Sequence, residues 1–159
     1  MIRIGIGYDV HRIASGREMW LGGVRFEVGF GLEGHSDADV AAHALCDALL
    51  GAAALGDLGT HFPPGEARWR GASGGTLLGH VRELLVSAGW VMANGDITLI
   101  CERPRIAPRV PDMRAALAAA LRVEPAAISV KATTNERIGF IGRGEGIAAI
   151  AVATIESTR

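Results

Sequence analysis

A carboxylate and an imidazole stand two positions apart in the segment Asp9-Val10-His11. Because residues two apart on a β-strand point to the same side, both groups would face one spot. Zinc accepts both types of ligand. Taken alone, however, this spacing favours a salt-linked pair at the end of a strand.

His43 lies one helical turn after Asp39 and one turn before Asp47 in an Ala- and Leu-rich segment. Combined with Asp9 and His11, it forms a three-ligand set that leaves a fourth tetrahedral position for a substrate. Asp39 and Asp47 could orient His43 from behind. The interpretation favoured for both aspartates is that they are solvated charges on a helix.

Two other stretches suit anionic groups. His35 precedes the predicted helix, where free N–H groups attract an anion, although a histidine in a surface loop is the alternative. The segment 131–146 supplies the only lysine, Lys131, then two hydroxyls, Glu136 and a Gly-rich turn. Amides, hydroxyls and a lysine suit phosphate oxygens, and Glu136 suits a hard divalent cation. The order of a Walker A loop is absent, and an ordinary polar hairpin remains the simpler interpretation.

The segment from Cys101 to Ala107 is a strand exit that contains a proline. Its irregular backbone leaves N–H and C=O groups free, which could recognise a nucleobase, although loops without such a role are commoner. Cys46 and Cys101 are isolated from each other, so they indicate neither a zinc ribbon nor a disulfide scaffold.

Hydrophobic periodicity predicts the elements that must carry these residues. They are strands 2–8, 90–102 (irregular near Asn94-Gly95), 127–133 and 147–155, a hairpin at 20–26, and helices 38–55 (capped by Ser36 or Asp37), 76–88 and 112–121. This order predicts one α/β (α+β) domain over residues 1–159, a mixed β-sheet with helices on one face. The last strand is apolar without alternation, so helices or another subunit should cover both of its faces.

Composition excludes several classes of protein. Among 159 residues, 49% are hydrophobic and 21% are charged, which provides a core and argues against general disorder. The net charge of −1 does not suggest a nucleic-acid binder. No stretch of about 18 apolar residues lacks a charge, so no membrane span is expected. The start of the sequence lacks the pattern of a signal peptide, which leads us to expect a cytoplasmic protein.

Taken together, the motifs resemble the 2-C-methyl-D-erythritol 2,4-cyclodiphosphate synthase family of the non-mevalonate isoprenoid pathway. The resemblance is carried in order by residues 3–11, 35–45, 47–59, 131–134 and 139–146. It implies a homotrimer with active sites between neighbouring subunits, and sheets around the threefold axis. The substrate would be 4-diphosphocytidyl-2-C-methyl-D-erythritol 2-phosphate, whose 2-phosphate attacks the β-phosphorus and releases CMP. Formally, such an enzyme is a phosphorus–oxygen lyase.

The resemblance also implies roles for individual residues. Asp9, His11 and His43 would bind Zn²⁺, Glu136 would bind Mg²⁺ or Mn²⁺, and His35 and Thr134 would stabilise the transition state. Phe140 and Arg143 would line an axial cavity that takes an isoprenoid diphosphate. In all, the implied substrate-binding positions are Asp9, His11, His35, Ser36, Asp57, Leu58, Gly59, Phe62, Pro63, Pro64, Gly65, Glu66, Cys101, Glu102, Arg103, Pro104, Arg105, Ile106, Ala107, Thr133, Thr134, Asn135, Glu136, Phe140 and Arg143.

The sequence departs from the family pattern at a few positions: Asn135 replaces an expected threonine, Glu66 a common aspartate and Arg105 a frequent lysine. Two other functions remain open at this point. One is a non-catalytic trimeric carrier of isoprenoid diphosphates, and the other is a metal-dependent phosphohydrolase. The high mean hydropathy of +0.27 fits a trimer, because contacts between subunits would bury apolar strands.

Overall fold

The computed structural model describes residues 1–158, in which four strands are followed by three helices and then by a mixture of strands and helices. The strands are β1 (Ile2–Ser15), β2 (Met19–Leu21), β3 (Val24–Phe26), β4 (Phe30–Leu32), β5 (Trp90–Ile100), β6 (Ile128–Thr133) and β7 (Gly146–Ser157). The α-helices are α1 (Val40–Ala52), α2 (Leu58–His61), α3 (Gly74–Ser87), α4 (Val110–Leu121) and α5 (Gly139–Gly142). Short 3₁₀ turns lie at Ala67–Trp69, Ala107–Arg109 and Pro125–Ala127.

Five strands form one mixed sheet in the order β4-β1-β7-β5-β6. Among the strands of residues 1–158, only β5 and β6 run parallel, and the other neighbouring strands of this sheet are antiparallel. The strands β2 and β3 form a separate hairpin, whose turn at Gly22 and Gly23 has positive φ angles of 59° and 76°. The long helix α1 packs against β1, β7 and β5. The predicted α+β fold with a mixed sheet is therefore confirmed.

Glycines on β1 let α1 lie unusually close to the sheet. A Cβ atom at Gly7 would lie 1.9 Å from the carbonyl oxygen of Ala44, and one at Gly5 would lie 2.0 Å from that of Ala48. Since side chains alternate along a strand, Asp9 shares this helix-facing side with both glycines. The same alternation places the apolar residues between them on the opposite face.

That opposite face of the sheet is exposed in the isolated chain. Ile2, Ile4 and Ile6 on β1 each expose about 70% of their surface, and Ile150 and Val152 on β7 each expose 39%. One face of β7 is covered as predicted, since its alanines pack under α1, and cover of the other face by another subunit stays a prediction. No helix in residues 1–158 is long and apolar enough to cross a membrane.

The structure corrects several predicted boundaries. The helix predicted over 38–55 spans only Val40–Ala52, and its N-cap is Asp39 rather than Ser36 or Asp37. Ala38 has a φ of 58°, which excludes it from a right-handed helix. Beyond Tyr8, β1 continues to Ser15, and the short elements β4, α2 and α5 were not predicted. The irregularity predicted near Asn94 is confirmed as a register shift between β5 and β7.

Candidate active site

Asp9, His11 and His43 meet where β1 faces the first turn of α1. The Oδ2 atom of Asp9 lies 3.1 Å from Nε2 of His11 and 3.1 Å from Nδ1 of His43. His43 is buried, whereas the other two side chains are partly buried. Each residue offers one ligand atom, and the three atoms lie within 4.8 Å of one another. Two imidazole nitrogens and one carboxylate oxygen at this spacing form a group that could hold a metal ion.

Hydrogen bonds behind the two histidines fix their ring orientation. His11 Nδ1 lies 2.5 Å from the carbonyl oxygen of Glu33, so Nδ1 donates this bond and Nε2 is the ring nitrogen that faces Asp9. His43 Nε2 lies 3.2 Å from Oγ of Ser36, which itself accepts the N–H of Ala38. The nitrogen atoms that face Asp9 are therefore the ones available as ligands.

The electrostatics of this group favour an ionised carboxylate. Burial by itself would raise the pKa of Asp9, but hydrogen bonds and charge interactions with His11 and His43 outweigh it and lower the pKa well below its usual range. For His11, burial would lower the pKa, yet the bond to Asp9 and the neighbouring charges raise it above the ordinary value. The carboxylate is thus ready to act as an anionic ligand.

Neither Asp39 nor Asp47 orients His43, and both sequence interpretations of Asp39 are wrong. Its carboxylate is fully buried and accepts four backbone N–H groups, from Gly22, Gly23, Ala41 and Ala42, at 2.7–3.1 Å. It therefore caps α1 and ties the β2–β3 hairpin to it. Asp47 instead accepts the N–H of Leu58 at 2.8 Å. The groups that orient His43 are Asp9 and Ser36.

The loop that carries His35 is held from two sides. Arg17 donates to the carbonyl oxygens of Gly34 and Ser36 at 3.0 and 3.3 Å. On the other side, the N–H of Gly71 donates to the carbonyl of His35 at 3.0 Å, and Asp37 accepts the N–H of Gly74 at 2.8 Å. Burial, together with the nearby charge of Asp39, raises the pKa of Asp37. The His35 side chain remains exposed within this anchored loop.

A cavity of about 370 Å³ opens beside the Asp-His-His group. Its lining includes many predicted residues, namely His11, His35, Ser36, His43, Leu58, Gly59, Phe62, Pro64 and Gly65, and three that sequence reasoning missed, Trp69, Arg70 and Leu77. The Trp69 ring packs edge-on against Phe62, with 4.7 Å between centroids. A signal was available, because Trp69 and Arg70 lie three and four positions beyond Glu66, the last of the implied substrate-binding positions 62–66. Asp57 accepts the N–H and hydroxyl of Thr60, which lowers its pKa.

The predicted nucleobase segment and Thr133–Glu136 do not line that cavity. They lie together at the ends of β5 and β6, where the Cys101 N–H donates to the carbonyl of Thr133 at 3.0 Å. Lys131 is bound to Asp96 at 2.5 Å. The set of groups in segment 131–146 that were predicted to bind phosphate is therefore smaller, because Lys131 already has a carboxylate partner.

A third group surrounds Phe140. A separate cavity of about 280 Å³ is lined by Val10, His11, Arg12, Phe140, Glu145 and Gly146. Arg143 donates to Glu145 at 2.8 Å, and this contact lowers the pKa of Glu145. The predicted site residues therefore fall into three groups, and His11 lines both cavities.

Comparisons with known proteins give a consistent result. Residues 2–156 match the YgbB family. A protein of Symbiobacterium thermophilum named 2-C-methyl-D-erythritol 2,4-cyclodiphosphate synthase is 60% identical over 152 residues, which cover 96% of this chain and 97% of the relative. The bifunctional enzyme IspD/IspF of Novosphingobium aromaticivorans is 57% identical over 155 residues, covering 98% of this chain and 40% of the relative.

Solved structures agree with these matches. A Plasmodium falciparum IspF structure described as a CDP complex superimposes with a TM-score of 0.87 at 30% identity, covering 99% of this chain and 97% of that one. The chain thus spans nearly the full length of single-function relatives and two fifths of the bifunctional one.

Proposed function

Because the chain belongs to the YgbB family, we infer that it is a cyclodiphosphate synthase of isoprenoid biosynthesis. It converts 4-diphosphocytidyl-2-C-methyl-D-erythritol 2-phosphate into 2-C-methyl-D-erythritol 2,4-cyclodiphosphate and CMP. An oxygen of the 2-phosphate bonds to the β-phosphorus, and the bond from that phosphorus to the bridging oxygen breaks. The electron pair of the broken bond leaves with CMP. The observation that carries this inference is the Asp9-His11-His43 group at the wall of a cavity large enough for a sugar phosphate.

Zinc is the metal that this ligand group fits best. Two imidazoles and a carboxylate are common zinc ligands, and the bond from His11 to the Glu33 carbonyl is the support that such a ligand requires. When bound, Zn²⁺ acts as a Lewis acid and a template for a phosphate oxygen. Asp9, His11 and His43 would hold it, and Ser36 keeps the His43 ring in place.

Other residues of the chain position the two phosphates. We assign His35 and Thr134 to stabilising the charge that develops at phosphorus, because phosphoryl transfer depends chiefly on positioning and electrostatic support. Glu136 is exposed and its carboxylate lies 3.4 Å from the Thr134 hydroxyl. Such a carboxylate suits Mg²⁺ or Mn²⁺, which usually take one or two carboxylates together with substrate phosphates. Segment 101–107 supplies the nucleobase contacts, and Asp57 and Gly59 contact the sugar.

A homotrimer would complete the site. The cavity beside Asp9 lacks the nucleobase segment and Glu136, which lie at the ends of β5 and β6. A neighbouring copy that brings these ends to the cavity would supply its missing wall. The exposed apolar face of β1 and β7 offers a surface for that contact. Around a threefold axis, the cavity beside Phe140 would lie centrally and take an isoprenoid diphosphate, whose head group Arg143 would bind.

The function is tested by incubating the purified protein with the cytidyl substrate, Zn²⁺ and Mg²⁺. Release of CMP is followed by chromatography, and the second product is identified by ³¹P NMR. A cyclic diphosphate is expected. A linear product would identify a phosphohydrolase instead, and tight binding of an isoprenoid diphosphate without turnover would identify a carrier.

A further inference from the structure

The turn that carries Glu136 has an unfavourable backbone. Glu136 and Arg137 have φ angles of 51° and 61°, in the left-handed region that residues with a side chain rarely adopt. Two such residues in succession need support from outside the turn. The backbone of Gly142 also packs closely against this turn. A Cβ atom at position 142 would lie 2.1 Å from the carbonyl carbon of Arg137.

Glu102 supplies that support from the end of β5. Its Oε1 atom accepts the N–H of Asn135 at 3.0 Å and the N–H of Arg137 at 3.2 Å. Bonds to an ionised acceptor are about twice as strong as bonds between neutral groups. The amide between them, that of Glu136, donates to the Thr134 hydroxyl at 3.1 Å. Three consecutive amides thus donate to two acceptor side chains, and of these two Glu102 alone comes from outside the turn.

We propose that Glu102 is a positioning residue, which holds the 134–137 turn so that Thr134 and Glu136 present their oxygens to the substrate phosphates and their cation. This role rests on the proposed function. It differs from the nucleobase contact that the resemblance implies for Glu102. The carboxylate acts through the turn and does not need to touch the substrate.

The arrangement also limits how the turn can bind phosphate. Successive amides in such a turn form a concave site for an anion. Here that site is already filled by the chain's own carboxylate, because Glu102 takes the amides of Asn135 and Arg137. Contacts between this turn and phosphate must therefore come from the Thr134 hydroxyl and, through the bound cation, from the Glu136 carboxylate.

Comparing Glu102→Ala with Glu102→Gln separates the loss of the acceptor oxygen from the loss of the charge. Glutamine keeps an oxygen acceptor without the charge, whereas alanine removes it. Glu124→Ala is the matched control, because Glu124 is exposed and its side chain caps nothing. Three quantities are measured for each variant: hydrogen exchange of the Asn135 and Arg137 amides without substrate, Mn²⁺ affinity with CDP present by electron paramagnetic resonance, and kcat and KM for CMP release.

In Glu102→Ala, exchange of both amides should accelerate about tenfold or more. The Mn²⁺ affinity should fall about 10- to 100-fold, as it does when the support of a ligand is lost. We expect kcat to fall more than KM rises, since the chief effect is on the reacting phosphates. Glu102→Gln should lie between Glu102→Ala and the wild type on all three measures, and Glu124→Ala should match the wild type.

If the Asn135 and Arg137 amides of Glu102→Ala exchange at the wild-type rate, Glu102 does not hold the turn. Faster exchange with unchanged Mn²⁺ affinity and kcat would overturn the positioning role. If the alanine variant does not fold, Glu102→Gln takes its place, and wild-type behaviour on all three measures would then count against the proposal. A wild-type protein that releases no CMP would contradict only the proposed function. Amide exchange would still test whether Glu102 holds the turn.

Discussion

The Oδ2 atom of Asp9 on β1 lies 3.1 Å from Nδ1 of His43 on α1, although 34 positions separate the two residues in sequence. The contact exists only because the helix packs directly on the strand. The candidate metal centre is therefore a product of tertiary packing, and changes in that packing should alter the metal affinity.

His43→Ala removes the most buried of the three ligands and should abolish stoichiometric zinc binding. The two remaining ligands leave the ion too weakly held, so CMP release should fall by more than about 100-fold. Zinc content is measured by mass spectrometry after gel filtration. His80→Ala is the control for zinc content, since His80 is an exposed histidine on α3 that lies outside the candidate centre. A His43→Ala protein with one zinc per chain would refute the ligand assignment.

Gly7→Ala should push α1 away from β1. The new Cβ would lie 1.9 Å from the carbonyl oxygen of Ala44, so the backbone must move. We expect the free energy of unfolding to fall by about 3 kcal/mol or more and the zinc affinity to fall with it. Chemical denaturation at a fixed protein concentration measures the free energy of unfolding.

Gly51→Ala provides the control for this substitution on α1 itself. Apart from its chain neighbours and the nearby backbone of α1, no atom of residues 1–158 lies within 4 Å of a Cβ at this position, and alanine favours the helix by up to about 1 kcal/mol. The control should therefore be as stable as the wild type or more stable, with unchanged zinc affinity. Equal stability of the Gly7 and Gly51 variants would contradict the close packing of helix and strand.

Asp39→Ala leaves four backbone N–H groups without their acceptor. Loss of a helix cap costs up to about 2 kcal/mol, and the two hairpin amides add to it, so a loss of about 2–4 kcal/mol is expected. Thermal and urea unfolding report it. Asp112→Ala should change stability by less than about 1 kcal/mol, because Asp112 forms an exposed pair with Arg109. Similar losses in both variants would show that Asp39 is not the anchor.

The thiol of Cys101 should react slowly at neutral pH. Burial, with the nearby charge of Glu102, raises its pKa to about 11. At pH 8, about one thiol in a thousand is then ionised, and the thiolate is the reactive form. Alkylation of Cys46→Ala by iodoacetamide isolates Cys101, and its rate should rise about tenfold per pH unit up to pH 10. A plateau above pH 9 would contradict the shift.

The same shift predicts how stability depends on pH. The folded-state pKa of Cys101 is higher than the ordinary value of about 9. Its contribution to the free energy of unfolding is therefore complete below pH 9 and lost as the pH rises towards 11. Urea unfolding of the unalkylated protein, followed by circular dichroism between pH 8 and 11, measures this loss.

Much of the fold followed from periodicity. The alternation of glycine with isoleucine along residues 4–7 correctly indicated a strand, and spacing of two correctly placed Asp9 and His11 on one side. The helix carrying His43 was found from its composition. The chemistry of Asp9, His11 and His43 allowed the hypothesis that they come together. Their proximity depends on the packing of α1 on β1, which no local sequence pattern encodes.

The missed features share one physical cause, which is that the partner of a polar group lies far away in sequence. Asp39 was taken for a solvated charge because nothing local shows that Gly22 and Gly23 donate to it. Glu102 similarly meets amides 33 and 35 positions away. Short elements such as β4 and α2 have too few residues for periodicity to reveal them.

The apolar sheet face makes assembly testable with one charge. Ile6 exposes 69% of its surface in the isolated chain and lies beside Val152 on β7. If three chains of 16.6 kDa pack these faces together, Ile6→Asp would bury an unpaired carboxylate at a cost of several kcal/mol. Analytical ultracentrifugation should then show a trimer for the wild type and a monomer for Ile6→Asp. CMP release should be lost with the trimer, because each cavity would lack the wall from its neighbour.

Val86→Asp is the matched control for this experiment. Val86 exposes 46% of its surface but lies on α3, among the helices rather than on the open sheet face. It should therefore remain trimeric and active. A wild-type protein that is monomeric yet releases CMP would contradict the shared site, as would an Ile6→Asp protein that stays trimeric. Because the cavity beside Asp9 contains neither segment 101–107 nor Glu136, activity in a monomer would also require another route by which these residues reach the substrate.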